Sequence, residues 1–171
     1  QLTGAFCNEV AMFSITLLCM GKLKEKFYTA AAEEYSKRLR AFADFRIVEL
    51  PEYRLPDDPN ETQIAQGLAR EAEAIRKAIP KGAWLCVLTP EGRLLSSEEL
   101  ASALHSVKTG GRSAACFLIG SSFGIDPSIK AMADLKLSMS KMTFPHHLAR
   151  VMALEQLYRA ESIQAGTKYH K

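Results

Sequence analysis

The chain has 171 residues, of which 47% are hydrophobic and 24% are charged, a balance typical of one globular domain. The net charge of +3 permits RNA as a partner but does not predict it. No apolar run reaches the roughly 20 residues of a membrane span, and the start lacks the pattern of a signal peptide. We therefore expect a cytosolic protein, with residues 1–11 as an N-terminal extension or cloning remnant and residues 12–171 as a single domain.

Cysteine usage gives no sign of a metal site. Cys7, Cys19, Cys86 and Cys116 form no CxxC pair, and three of them lie in apolar, strand-like runs. Free cysteine is commonly buried, whereas zinc requires clustered cysteine and histidine ligands. We predict buried thiols in a reducing compartment and no bound metal.

The first half of the chain alternates strand and helix patterns. In chain order we predict a strand at 13–20, a helix at 25–42, a strand at 45–50, a loop at 52–60 and a helix at 61–79. Gly21 ends the first strand and Pro51 the second, and Pro80 with Gly82 ends the second helix.

The second half repeats this alternation. We predict a strand at 83–88, a turn at 90–92, a helix ending at 110–111, a strand at 114–119, a glycine-bearing turn at 120–124, a short helix at 127–133, a strand at 135–137 and a final helix at 145–163. Ser96 precedes Glu99 by three residues, which is typical of a capping box at the start of the third helix.

Strands that alternate with helices indicate an α/β fold with a mostly parallel sheet and helices on both faces. Ligands of such sheets lie beyond the carboxyl ends of the strands. Three segments compete for that place, at 89–92, 120–124 and 138–145.

Two of these segments have the composition of a ligand cradle. Gly120 to Gly124 lets the backbone approach a ligand but matches neither a Walker A loop nor a dinucleotide fingerprint, and an ordinary tight turn stays open. Ser138 to Pro145 joins hydroxyls, Met142 and Phe144 to a helix start with free N–H groups, although a plain helix cap is the alternative. The absence of HExxH and GxSxG motifs disfavours metalloprotease and serine-hydrolase chemistry.

The C-terminal tail, Gly166 to Lys171, combines two lysines with Tyr169 and His170. Cations that neutralise phosphates and a ring that stacks on a base suit RNA binding, whereas a disordered tail is the ordinary alternative.

These residues resemble the ribosomal RNA large-subunit methyltransferase H family. The resemblance is carried by Leu137 to His146, by Arg150, by Leu154 to Ala160 and by the terminal Tyr169-His170-Lys171. Further matches lie at 15–26, 34–39 and 95–100, so that the resemblance covers nearly all of residues 12–171.

The resemblance implies a SPOUT-class α/β fold with a deep trefoil knot near the C-terminus, a feature that pattern alone would not propose because knots are rare. It also implies a homodimer and S-adenosyl-L-methionine as the methyl donor. The implied product is N3-methylated pseudouridine in large-subunit (23S-type) ribosomal RNA within the assembled ribosome.

Carried over by position, the resemblance implies a donor pocket made of ten residues. They are Leu88, Thr89, Gly120, Ser121, Ser140, Lys141, Met142, Thr143, Phe144 and Pro145. As a hypothesis about catalysis, Tyr169 and His170 of a partner subunit's tail position the base, and Arg150 holds a phosphate or the donor loop.

Two positions depart from the family pattern. Thr89 stands where the family usually has an acidic residue, and Ser121 stands where it usually has a second glycine. These departures leave open a catalytically impaired RNA-binding or ribosome-assembly factor on the same fold, because a fold does not fix a function. A generic nucleotide-binding domain is the third interpretation.

Overall fold

A computed structural model describes residues 11–171. Its elements are β1 (Ser14–Met20), α1 (Lys26–Leu39), β2 (Asp44–Leu50), α2 (Glu61–Ala78), β3 (Trp84–Leu94), α3 (Ser97–Thr109), β4 (Ala114–Ile119), α4 (Pro127–Met132), β5 (Leu135–Ser138) and α5 (His146–Gln164). The predicted extension at residues 1–11 lies almost entirely outside the described residues.

The five strands form one sheet in the order β2-β1-β4-β3-β5, and each neighbouring pair is parallel. Successive side chains of β1 alternate between the two faces, so Leu17 packs into one hydrophobic cluster and Leu18 into the other. A parallel sheet buried on both faces needs strands that are apolar throughout, which explains the continuous apolar runs of the sequence.

Helices cover both faces of the sheet, which confirms the predicted α/β class. Leu39 of α1, Leu104 of α3 and Leu154 of α5 lie in the cluster on one face. Ile75 of α2 and Ile129 of α4 lie in the cluster on the other. No helix within residues 11–171 is both long and apolar enough to cross a bilayer.

The predicted capping box at α3 is confirmed. The Ser96 hydroxyl accepts a hydrogen bond from the Glu99 N–H at 3.1 Å, and the Glu99 carboxylate accepts one from the Ser96 N–H at 2.7 Å. Asn60 and Gln63 form the same reciprocal arrangement at the start of α2. Such caps contribute about 1 kcal/mol each by satisfying helix-end N–H groups that would otherwise lack partners.

The predicted turn at Pro90 to Gly92 is wrong. β3 continues to Leu94, and its pairing with β5 shifts register so that both Leu88 and Arg93 lie opposite Leu137. A Cβ atom at Gly92 would lie 2.6 Å from the Leu137 carbonyl carbon. Gly92 therefore allows the backbones of β3 and β5 to approach closely, and it does not reverse the direction of the chain.

Three cysteines occupy the interior of the sheet, as predicted. Cys19, Cys86 and Cys116 are free and buried on neighbouring strands, and Cys7 lies outside the described residues. Burial raises the pKa of Cys19 and of Cys116 to about 12 and also raises the pKa of Cys86.

Candidate functional site

A cavity of about 430 Å³ opens at the carboxyl ends of β4 and β5, beside the irregular middle of β3. The ten residues predicted for a donor pocket all line it: Leu88, Thr89, Gly120, Ser121, Ser140, Lys141, Met142, Thr143, Phe144 and Pro145. The three competing segments therefore meet at one site, although the first of them is an irregular strand and not a loop.

The turn after β4 owes its shape to two glycines. Gly124 has a φ of +100°, which favours glycine, and its N–H donates to the Ser121 carbonyl at 2.9 Å. A Cβ atom at Gly120 would lie 2.5 Å from the Gly124 carbonyl oxygen. Gly120 is thus required by the turn itself, whatever ligand the cavity holds.

Ser121, the departure from the family's glycine, makes a specific contact. Its hydroxyl donates to a Glu71 carboxylate oxygen at 2.9 Å, and the other oxygen accepts from the Tyr53 N–H at 2.9 Å. Glu71 is 6% exposed, and burial raises its pKa above the ordinary value. Because Glu71 does not line the cavity, the Ser121 hydroxyl is engaged outside it.

Thr89, the second departure, lies beside a carboxylate from a nearby residue. Its hydroxyl donates to Glu91 at 2.5 Å, and Lys130 of α4 forms an ion pair with the same carboxylate. Hydrogen bonds from Lys130 and Thr89 lower the pKa of Glu91 to about 2, so this side chain is ionised at neutral pH. This edge of the site therefore carries the Glu91–Lys130 ion pair, although residue 89 is not acidic.

The loop between β5 and α5 is organised by its own hydroxyls. Ser138 donates to the Ser140 carbonyl at 2.9 Å, and the Ser140 hydroxyl accepts from the Met142 N–H at 3.0 Å. The Met142 side chain is 74% exposed at the cavity. α5 begins directly after this loop without a side-chain cap, so its first N–H groups remain available to a polar ligand.

Two adjacent histidines lie at the start of α5. His146 lines the cavity and lies 3.6 Å from Glu52, whereas His147 Nδ1 lies 3.1 Å from Glu25. Their ring centroids are 4.3 Å apart. Burial and the neighbouring His147 lower the pKa of His146, which favours its neutral form at pH 7.

Arg150, near the start of α5, is held by contacts with the carboxyl ends of β1 and β2. Its side chain is buried, with NH1 donating to Glu49 at 2.6 Å and NH2 to the Gly21 carbonyl at 2.9 Å. It does not line the cavity. A guanidinium bound to these partners ties α5 to the end of β1, and the hypothesis that Arg150 holds a phosphate or the donor loop stays a prediction.

The tail packs on the body of its own chain, away from the cavity. The Tyr169 hydroxyl donates to Glu155 at 3.1 Å, while His170 contacts Glu98 at 2.8 Å and Arg159 at 3.2 Å. Burial and Glu155 raise the pKa of Tyr169 to about 12. One chain alone therefore does not bring Tyr169 or His170 to the predicted donor residues.

Sequence analysis did not assign several residues that line the cavity, among them Ile125, Lys130 and His146. Lys130 belongs to α4, which follows the glycine turn at once, and this proximity was the available signal. His146 directly follows the predicted loop and ends the resemblance segment at 137–146, which was the available signal for it.

Comparison with known proteins agrees with this architecture. A family model described as "Predicted SPOUT methyltransferase" matches residues 13–170. The crystal structure of a probable methyltransferase from Bordetella pertussis Tohama I superposes with a TM-score of 0.51 over 88% of this chain and 95% of that one. At 12% identity, that likeness concerns the fold alone.

Curated relatives match at much higher identity. The ribosomal RNA large subunit methyltransferase H of Moorella thermoacetica is 43% identical over 94% of this chain and 100% of its own length. The protein of the same name from Bifidobacterium adolescentis is 45% identical over 92% of this chain and 99% of its own. The chain therefore belongs to the SPOUT methyltransferase family, among the large-subunit methyltransferase H proteins.

Proposed function

We propose that the protein transfers a methyl group from S-adenosyl-L-methionine to N3 of a pseudouridine in large-subunit (23S-type) ribosomal RNA. The observation that carries this proposal is the meeting of all ten predicted donor residues around one cavity. The names of relatives that match along nearly their whole length support large-subunit ribosomal RNA as the substrate.

The cavity suits such a donor in size and chemistry. Its volume of about 430 Å³ falls within the range of about 300–1,000 Å³ found for small-molecule sites. Leu88, Ile119 and Phe144 provide apolar surface for a flat base. The uncapped first turn of α5 offers N–H groups to a carboxylate, which the helix dipole also attracts.

The chemistry requires N3 of the pseudouridine to lose a proton as it attacks the methyl carbon, while the carbon–sulfur bond breaks and its electron pair stays on sulfur. A positioned base assists this step, and alignment of the reacting atoms contributes further. We assign the positioning of the base to Tyr169 and His170 from a partner's tail, because one chain places its own tail away from the cavity.

The proposal therefore includes a homodimer, with each donor cavity completed by the other subunit. It also includes the family's trefoil knot, for which family membership is the support. A substrate within assembled ribosomes implies a cytoplasmic place of action.

Calorimetric titration with S-adenosyl-L-methionine tests the donor, and we expect saturable binding that Thr143→Arg abolishes by filling the cavity. If the wild-type protein binds no donor, the proposed enzymatic function is rejected and the impaired RNA-binding alternative is favoured.

Transfer of a labelled methyl group to intact ribosomes, compared with free ribosomal RNA, tests the substrate. Mass spectrometry of the digested RNA should then show an N3-methylated pseudouridine.

A replacement in the tail tests the proposed catalytic residues. His170→Ala should reduce turnover strongly while donor affinity stays nearly unchanged, because the proposed role of His170 is to position the base and not to hold the donor. Unchanged turnover on ribosomes would remove His170 from catalysis.

A further inference from the structure

Positive charge is concentrated in one stretch of the chain. Residues 22–40 contain six lysines or arginines and three glutamates, although the whole chain has a net charge of only +3. Two of the three glutamates are already paired, Glu25 with His147 and Glu34 with Arg38. The unpaired cations of this stretch therefore dominate the local field.

A groove of about 380 Å³ runs between α1 and the edge strand β2, and two exposed arginines line it. Within residues 11–171, neither Arg40 nor Arg46 has a carboxylate within salt-bridge distance. Arg46 Nε donates to the Thr16 hydroxyl at 3.2 Å, which anchors this side chain on the sheet.

One of the two carboxylates that line the groove is neutralised by an ion pair. Arg150 lines the groove, and its 2.6 Å ion pair with Glu49 cancels the carboxylate that would otherwise repel an anion. Arg150 Nε is buried and has no hydrogen-bond partner in the described part of the chain. Glu33 remains the one lining carboxylate without a salt bridge among the described residues.

The groove lies close to the donor cavity. Arg150 in the groove directly follows Ala149, which lines the cavity. Leu23 lines the groove near the same end, and its neighbours Lys22 and Lys24 are exposed. A polymer with regularly spaced negative charges can therefore contact the groove while one of its units enters the cavity.

We propose that this groove binds a backbone phosphate of the substrate RNA, held by Arg40 and Arg46 beside the nucleotide to be methylated. The inference rests on the proposed function, since it takes RNA as the substrate. Guanidinium groups bind phosphate oxygens through paired N–H donors, and such contacts fix the position of a nucleic acid without reading its sequence.

The double variant Arg40→Gln/Arg46→Gln tests this groove, with affinity measured for a labelled single-stranded oligouridine over a series of KCl concentrations. We expect at least about tenfold weaker binding at low salt and a slope of log K against log [KCl] smaller by about 1. On intact ribosomes KM should rise with kcat nearly unchanged, because the arginines position RNA and do not touch the donor cavity.

The matched control is Lys77→Gln/Lys81→Gln, which also removes two exposed positive charges, here from α2 and the segment after it. This control should bind the oligouridine with nearly the wild-type affinity. Equal weakening by both double variants would show a general effect of net charge and overturn the groove. Glu33→Gln should tighten RNA binding, since it removes the unpaired carboxylate.

The two proposals fail in different ways. If the wild type methylates ribosomes while Arg40→Gln/Arg46→Gln keeps the wild-type KM and oligouridine affinity, phosphate binding in the groove is rejected. The proposed methyltransferase function is then unaffected. If the wild type binds no donor, the proposed function fails, whatever the arginines do. Calorimetry with S-adenosyl-L-methionine on each variant checks that the fold and the donor cavity are intact.

Discussion

Ser121 shows how one hydroxyl can alter the surroundings of a site without entering it. Its hydrogen bond to Glu71 links the turn after β4 to the segment at Tyr53, which is also bound to that carboxylate. The turn that lines the cavity is thereby attached to the loop before α2. A family glycine at this position would lack the link.

Replacing Ser121 with alanine should lower the free energy of unfolding by about 1–3 kcal/mol, because a buried carboxylate oxygen of Glu71 loses its partner. Urea denaturation gives this value directly. Ser122→Ala, at the exposed neighbour, should change it by less than about 0.5 kcal/mol. Equal stability of the two variants would show that the hydrogen bond contributes nothing.

His146 is predicted to be neutral at pH 7. Burial and His147 lower its pKa, Arg150 also lowers it, and Glu52 and Glu25 oppose them. Since the folded protein then binds fewer protons than the unfolded chain, this group lowers the free energy of unfolding as the pH falls below about 6.5.

An NMR titration of the histidine ring protons checks this directly. His146 should titrate below the ordinary histidine value, and His147→Gln should move that pKa upward by removing a neighbouring positive charge. A His146 pKa that does not respond to His147→Gln would contradict the proposed coupling.

At the scale of elements, the order of strands and helices was predictable from sequence because each element carries its own periodicity and end signals. β3 was the exception. Pro90 and Gly92 are turn-forming residues, yet pairing with β5 extends the strand through them to Leu94. The predicted end of α1 at Phe42 was also too late, since the helix ends at Leu39. The extension of β3 depends on a tertiary pairing that local pattern does not contain. The end of α1 is made by local turn hydrogen bonds, such as that from the Phe42 N–H to the Leu39 carbonyl.

Gly92→Ala should destabilise the protein by at least about 1–3 kcal/mol, because the added methyl group would overlap the backbone of β5. Thermal and urea unfolding measure the loss. Gly67→Ala is the matched control, since the nearest neighbours of its Cβ would be side-chain carbons of Leu55 and Tyr53 at 3.1 Å and alanine favours the helix. A Gly92→Ala protein as stable as Gly67→Ala would disprove the close approach.

The candidate site was predictable where it depends on neighbouring residues in the chain. The loop at 138–145 and the turn at 120–124 were both found in this way. Lys130 and the Glu91 carboxylate were not found, because their contact joins α4 to β3 across 39 positions. The ion pair of Arg150 was not found for the same reason, since its partner Glu49 lies 101 positions away.

For the whole molecule, the dimer proposal predicts complementation between two inactive variants. Thr143→Arg should lose donor binding and His170→Ala should lack the tail function. Dissociated and reassociated together in equal amounts, they should recover about a quarter of wild-type activity, because half of the pairs are mixed and each mixed pair has one intact site. No recovery, with mixed dimers shown by native mass spectrometry, would place the tail in its own subunit's site.

The three buried cysteines at the centre of the sheet should not react with alkylating reagents as long as the protein stays folded. A thiol must reach solvent and lose its proton before it reacts, and burial opposes both for Cys19, Cys86 and Cys116. In a Cys7→Ser background, alkylation of these thiols would therefore time the opening of β1, β3 and β4. The rate of their alkylation thus reports how fast the sheet that supports the cavity unfolds.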